Sequence, residues 1–276
     1  MGDDRPIGVF DSGLGGLTVV RAIMDDLPNE SILYFGDTGR FPYGPRTGGE
    51  IRAFSLQIAR HLVACDVKLV VVACNSATSA ALEDVAAAVP VPVVGVIEPA
   101  VRTAISATRN GRVGLIGTEA TVGSGAYLRA FERLDGRPVH VASQPCPLFV
   151  DFVERGDTTS PELLAVAGEY LAPLRAAGVD TLILGCTHYP FLRGAIHHVM
   201  GPDVLLLSSA EETANDVYEV LVANGLLRGD GGAPPAHRFE SSGDPDTFAR
   251  LGGRFLGPEV ERVARVVMPA PAPGRA

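Results

Sequence analysis

Two cysteines stand in matching places in two halves of one chain. Cys74 follows the apolar run LVVVA within LVVVACNSAT (69–78), and Cys186 follows TLILG within TLILGCTHYP (181–190). In each case a β-branched-rich strand delivers a thiol to the start of a helix-like segment. The free N–H groups and the dipole at a helix start favour thiolate, the form that takes a proton or attacks carbon. Two such thiols from two related halves fit chemistry carried out on opposite faces of one substrate.

The residues beside each thiol are polar and small. Asn75, Ser76 and Thr78 follow Cys74 with amide and hydroxyl groups able to hold an amino-acid carboxylate or ammonium. Thr187 and His188 follow Cys186, and an imidazole two residues away can stabilise a thiolate or take its proton. One buried cysteine at a strand end would be read as core packing; the paired occurrence lowers that reading. A metal on Cys74, Cys186 and His188 is set aside, since no Cys-x₂₋₄-Cys or His-x₃₋₅-His spacing supports zinc there.

A third constellation closes the first strand: Asp11-Ser12-Gly13-Leu14-Gly15-Gly16. A glycine-rich turn into a helix suits an anion, and Asp37 after the second strand adds to a dinucleotide reading. The fingerprint fails at its third glycine, where Thr18 stands. Asp11 would also set a negative charge beside phosphates. A small-ligand loop with Asp11 and Ser12 pointing into a cleft is preferred, against a tight turn that needs glycine and nothing more. The loop Phe41-Pro42-Tyr43-Gly44-Pro45 either lines that cleft or is a structural turn.

Other reactive types read as bland. Cys65 closes an amphipathic helix, and Cys146 lies between prolines in QPCPLF. His197 and His198 fall late in a helix, where a cation complements the dipole. Asp151 and Glu154 share a helix face, usually a solvated one, and the residues alone give Glu154 only a minor claim on function.

The elements that position these groups form short Val/Ile/Leu runs alternating with amphipathic stretches, the pattern of parallel strands buried on both faces with crossover helices. Strands are expected at 6–10, 31–35, 68–73, 92–97, 112–116, 138–142, 180–185 and 203–208. Helices are expected between them, including 50–65 and 160–178, the latter with Ser160 as N-cap, Pro161 in the first turn and Gly178 as terminator. IGVFDS (7–12) has its counterpart in VGLIGT (113–118), at an offset similar to that of the two Cys runs. The expectation is an α/β fold of two pseudo-symmetric domains with mainly parallel sheets and a site in the cleft between them. The first domain takes residues 1–98 and 208–267 and the second 99–207. A strand, an Asp-Pro turn and a helix follow the Gly/Pro-rich stretch after Arg228, and 268–276 reads as a disordered tail.

Bulk properties bound the function. The chain has 276 residues, 46% hydrophobic and 20% charged, enough for a large core. A formal net charge of −9 argues against a broad nucleic-acid surface. No signal peptide is visible and the apolar runs are too short for a bilayer, so four free thiols in a reducing cytoplasm are expected.

Taken together, GVFDSGLGGLTV (8–19), FGDTGRFPYGPR (35–46), ACNSAT (73–78), PLFVDFVERG (147–156) and LGCTHYP (184–190) resemble the glutamate racemases, which supply D-glutamate for peptidoglycan without a cofactor. These stretches span most of the chain in family order. Aspartate racemases share the two-cysteine plan and remain the alternative, though DSGLGG and PYG look like the glutamate enzymes. Ser76 departs from the threonine common at that place but keeps the hydroxyl. The resemblance implies that Cys74 and Cys186 are the acid/base pair, Cys74 acting on D-glutamate and Cys186 on L-glutamate. Asp11 is implied as the polar partner of Cys74, His188 as that of Cys186, and Glu154 in support. Asp11, Ser12, Tyr43, Gly44, Asn75, Ser76, Thr187 and His188 match substrate-binding positions, with Thr118 and Thr121 as weaker candidates. No cofactor and no metal are implied. Glutamate is the expected small-molecule partner, nucleic acid and membrane are not, and a homodimer is the common state for soluble enzymes of this kind. A nucleotide-dependent oxidoreductase and a binding protein that has kept a racemase fold are the competing readings.

Overall fold

The computed structural model describes residues 2–134, 138–229 and 233–269. The first part alternates β1 (Ile7–Asp11), α1 (Leu17–Asp26), β2 (Ile32–Gly36), α2 (Gly48–Ala64), β3 (Leu69–Val72), α3 (Asn75–Ala88), β4 (Val93–Gly95) and α4 (Ile97–Ala107). The second carries β5 (Arg112–Gly117), α5 (Glu119–Gly123), α6 (Ala126–Arg133), β6 (His140–Pro145), α7 (Leu148–Glu154), α8 (Pro161–Ala176), β7 (Thr181–Gly185), a 3₁₀ turn (Tyr189–Leu192), α9 (Arg193–Met200) and β8 (Leu205–Ser208). The chain then returns through α10 (Ser209–Ala223), β9 (His237–Ser241), α11 (Pro245–Phe255) and β10 (Val263–Arg265).

These strands make two sheets, ordered β10-β9-β2-β1-β3-β4 and β6-β5-β7-β8, with parallel pairing throughout the described residues. Period-two alternation sorts each strand between two cores. Leu69, Val71 and Ala73 face α1 and α10, whereas Val70, Val72 and Cys74 face α2 and α3. In the second sheet Leu182, Leu184 and Cys186 face the α7–α9 side, and Ile183 faces α4 and α6.

Local signals set the helix ends. Thr47 and Glu50 form a reciprocal capping box at α2. Ser160 caps α8, Pro161 opens it, and Gly178 beyond its end takes φ +66°. The boundary at residue 98 falls in the first turn of α4, whose apolar face packs with the second sheet. β10 was not anticipated: three residues with one half-buried position carry almost no strand pattern. The expected tail begins at Met268 and Pro269, which have no regular structure, and its remainder lies outside the described residues.

The topology creates two equivalent switch points. β1 lies between β2 and β3, and β5 lies between β6 and β7. At such a point the crossovers leave in opposite directions, opening a crevice at the carboxyl ends of the strands. The ends of β1 and β3 carry Ser12 and Cys74; the ends of β5 and β7 carry Thr118 and Cys186.

Candidate active site

One cavity of about 270 Å³ is lined by all four of these strand ends: Ser12, Cys74, Thr118 and Cys186. Asn75, Ser76, Thr187 and His188 complete its polar wall, and the Phe41–Pro45 loop covers one side. Both thiols are buried, with Cys74 5% and Cys186 7% exposed.

Cys74 is the N-cap of α3, as the strand-to-helix pattern implies. Its ionisation runs against expectation. Burial, and then the charge of Asp11, push the thiol up to about 12, more than the Ala77 and Ser12 N–H groups and the Ser12 hydroxyl lower it. At neutral pH Cys74 therefore holds its proton. The helix start offers N–H groups, but burial penalises charge more strongly.

Asp11 is also placed differently from expectation. It is fully buried behind the cavity wall and does not line it. Gly13 N–H donates to its Oδ2 at 2.8 Å and the Thr187 hydroxyl to its Oδ1 at 3.3 Å. With both oxygens engaged, the Cys74 thiol donates instead to Ser12 Oγ at 3.7 Å. Asp11 reaches Cys74 only through its field, while its bond to Thr187 ties the first sheet to the second.

Around Cys186 a different electrostatic arrangement holds. His188 Nδ1 lies 3.9 Å from Cys186 Sγ, and its Nε2 lies 2.8 Å from Glu154 Oε1. Burial lowers the imidazole pKa, but the Cys186 and Glu154 hydrogen bonds outweigh it and raise it to about 10. At neutral pH a positive imidazolium therefore sits against Cys186. Glu154 lies at the end of α7, and Phe41 packs on the imidazole with ring centroids 5.8 Å apart.

The two sheets meet in a cluster of hydroxyls. Ser76 Oγ is 2.9 Å from Thr118 Oγ1 and 3.3 Å from Thr121 Oγ1, and Thr118 bonds Thr121 at 3.1 Å. Thr118 also caps α5. Thr121 stands behind the wall, and Thr118 and Ser76 face the cavity. Asn75 donates from Nδ2 to Tyr127 Oη at 2.8 Å, leaving its buried Oδ1 without a hydrogen-bond partner among the described residues. A buried amide oxygen in that state costs free energy unless a ligand donates to it.

Tyr43 presents its ring to the cavity while its hydroxyl is spent on Asp37. Asp37, which adds to a dinucleotide reading of the sequence, is fully buried and also takes Arg40 Nε at 2.7 Å and the Ser242 hydroxyl at 2.6 Å. Gly44 accepts from Ala120 N–H at 3.1 Å, which fixes the loop to α5. The glycine turn serves close packing: a Cβ on Gly15 would stand 2.2 Å from Thr187 Oγ1 and 2.6 Å from His188 Nδ1. Gly15 lets the two halves approach, Gly13 and Gly16 make room for Phe41 and for the Asp11 side chain, and nothing about them requires a phosphate.

A family model described as Asp/Glu/hydantoin racemase matches residues 17–217. The chain belongs to that family. Across the Asp/Glu/hydantoin racemases it is 57% identical to a glutamate racemase of Parafrankia sp. (strain EAN1pec), covering 98% of this chain and 97% of that one. Among solved structures, glutamate racemase isoform RacE1 of Bacillus anthracis superposes with a TM-score of 0.89 at 39% identity, over 98% of this chain and 99% of that one. Glutamate racemase from Francisella tularensis in complex with D-glutamate gives the same TM-score at 37% identity, over 96% and 98%. The protein is thus a racemase, an isomerase on a two-sheet α/β scaffold.

Several residues that line or back this cavity escaped sequence reasoning. Tyr127 carries no local signal, because its role is to meet Asn75 from the other half. Asp151, read as part of a solvated face, lines the cavity with Glu119, Leu148 and Val150. The Asp37 link to Ser242 spans most of the chain and leaves no short-range pattern. Among the described residues no helix is long and apolar enough to cross a membrane.

Proposed function

We propose that this protein interconverts L- and D-glutamate by two-base proton transfer between Cys74 and Cys186, supplying D-glutamate for peptidoglycan. The observation that carries the reading is one cavity bearing a thiol from each half, with unlike electrostatic settings. The glutamate racemase names of relatives more than half identical over nearly the whole chain support the substrate.

With L-glutamate bound, Cys186 acts as thiolate beside the His188 imidazolium and takes the α-proton. Cys74, protonated in the resting cavity, delivers its own proton to the opposite face. One C–H bond breaks and another forms, and the proton taken ends on the first sulfur. Reversal runs the reaction from D-glutamate. Negative charge builds on the substrate carboxylate as the α-proton leaves. Hydroxyls of Ser76, Thr118 and Thr187, held at strand and helix ends, stabilise it by turning from their present partners to donate to the carboxylate. Asn75 Oδ1 is the acceptor for the substrate ammonium, and Ser12 and the Tyr43-Gly44 backbone complete the binding set. Glu154 positions and polarises His188 from behind, Asp11 acts on Cys74 through its field and holds Thr187, and Thr121 holds Thr118. The same proposal carries a two-domain division near residues 98 and 208, a cytoplasmic location and a homodimer, the last checked by sedimentation.

The direct test incubates the protein with D-glutamate in D₂O without added cofactor, following circular dichroism and the α-proton signal together. Loss of both signals is the expected result. Exchange without loss of optical activity would refute two working bases. Inertness towards glutamate with turnover of aspartate would transfer the reading to an aspartate racemase.

A further inference from the structure

A second cluster of metal-binding side chains lies outside the cavity, where α2 ends over the sheet. His61 stands in the last turn of α2 and Cys65 is its C-cap, four residues on and on the same face. Glu240 reaches them from β9. His61 Nε2 lies 2.6 Å from Glu240 Oε2 and 3.8 Å from Cys65 Sγ, and the three donor atoms all fall within 4.8 Å of one another. Among the described residues this is the one group of three His, Cys, Asp or Glu side chains so gathered.

The carboxylate is out of place for the row it occupies. Strand register sets Val72, Phe10, Phe35, Glu240 and Ala264 side by side across the first sheet. Val72, Phe10 and Phe35 are fully buried in the core beneath α2, and Glu240 continues that row directly under His61. Phe35 meets the imidazole edge at 5.5 Å between ring centroids and fixes its plane. One imidazole nitrogen is thus directed at both a thiol and a carboxylate. That point lies at the C-terminal end of a seventeen-residue helix, where the peptide dipoles favour positive charge.

We propose that His61, Cys65 and Glu240 form a binding site for a zinc-class divalent cation, distinct from the racemase cavity. The ligand set is one nitrogen, one sulfur and one oxygen, which suits borderline-soft Zn²⁺ with water as fourth ligand and disfavours Mg²⁺ or Ca²⁺. Binding releases the Cys65 thiol proton. A proton on His61 Nε2 moves to Nδ1, so that Nε2 presents its lone pair to the metal. The cation would clamp α2 to β9 and so fasten the late-arriving strand to the sheet that carries Cys74.

The test uses the full chain, stripped with chelator under reducing conditions and titrated with Co²⁺ as a visible probe. The expected result is one Co²⁺ per chain, with tetrahedral d–d bands and a thiolate-to-cobalt charge-transfer band, displaced by stoichiometric Zn²⁺. Cys65→Ser should abolish the charge-transfer band. Glu240→Gln should weaken Co²⁺ binding by at least about 10–100-fold, the cost typical of losing even an outer-shell partner. Cys74→Ser and Cys186→Ser should each keep the whole signal. Zn²⁺ should raise the Tm of the wild type and leave that of Cys65→Ser unmoved. Absence of saturable Co²⁺ binding overturns the proposal, as does a charge-transfer band that survives Cys65→Ser. A band lost with either cavity cysteine also overturns it, because the metal would then sit in the racemase site.

Discussion

Replacing Glu154 by glutamine removes one negative charge and little else. The carboxylate accepts a 2.8 Å hydrogen bond from a His188 side chain that is 3% exposed, and it is itself only 27% exposed. A hydrogen bond involving a charged group contributes about 1.5–3 kcal/mol, and the amide oxygen retains the neutral part of it. The loss should therefore lie near the lower end, about 1.5 kcal/mol, or roughly one pKa unit on His188 and about tenfold in the rate of the step that uses Cys186. The sign follows from the raised pKa. In the wild type the charged imidazole stabilises the fold fully below the ordinary value near 6.5, and this is lost as pH rises through about 10. In Glu154→Gln that upper limit moves down. NMR of the His188 ring should report the shift directly. Because L- and D-glutamate have equal free energies, kcat/KM must fall by the same factor in both directions. The asymmetry must appear instead in the α-deuterium isotope effect, which should rise more from the L side, where Cys186 removes the proton. Unchanged kcat/KM with an unchanged His188 titration would refute the reasoning, and so would isotope effects that rise equally.

Three further outcomes are expected. Cys74, raised from 9.0 to about 12, should hold roughly a thousandth of the thiolate of an unfolded cysteine at any pH below 9, and Asp11→Asn should speed its alkylation at fixed pH; an unchanged or slower rate would contradict the charge argument. Gly15→Ala should force Thr187 and His188 away from the cavity and cost about 100-fold in kcat while the far-ultraviolet spectrum is kept, which steady-state kinetics will check. Leu182→Ala, fully buried in β7, should lower unfolding free energy by about 2–5 kcal/mol in urea titration without changing KM beyond about twofold.

The two-sheet scaffold and both thiols were legible because each rests on a local pattern. LVVVACNSAT and TLILGCTHYP state strand, turn and helix start within ten residues. Glu154 was not legible from the residues alone, since an acid at the end of a short helix looks like a solvated face until β7 brings His188 beside it. Asp11 could be singled out from its place at the end of β1, but its orientation could not, since that depends on Gly13 and Thr187 engaging its two oxygens. The thiolate expectation at Cys74 failed because helix-end stabilisation can be read from sequence, whereas complete desolvation is a property of the assembled halves. His61 and Cys65 carry a His-x₃-Cys spacing that could have been noticed. Glu240 could not, since its place under α2 exists only once β9 has paired with β2.

That pairing has a consequence for how the chain is made. β9 aligns all five of its residues with Ile32–Gly36, and β10 lies beyond it. Until β9 is synthesised and pairs, β2 is an open parallel edge whose Ile32, Leu33, Tyr34 and Phe35 are destined for complete burial. The second sheet, from β5 to β8, is contiguous and has all its strands much earlier. The nascent protein therefore passes through an interval in which the Cys186 half is complete and the Cys74 half presents an unprotected apolar strand. Such an unpaired apolar edge is aggregation-prone, so β9 protects the Cys74 half during folding as well as completing its sheet.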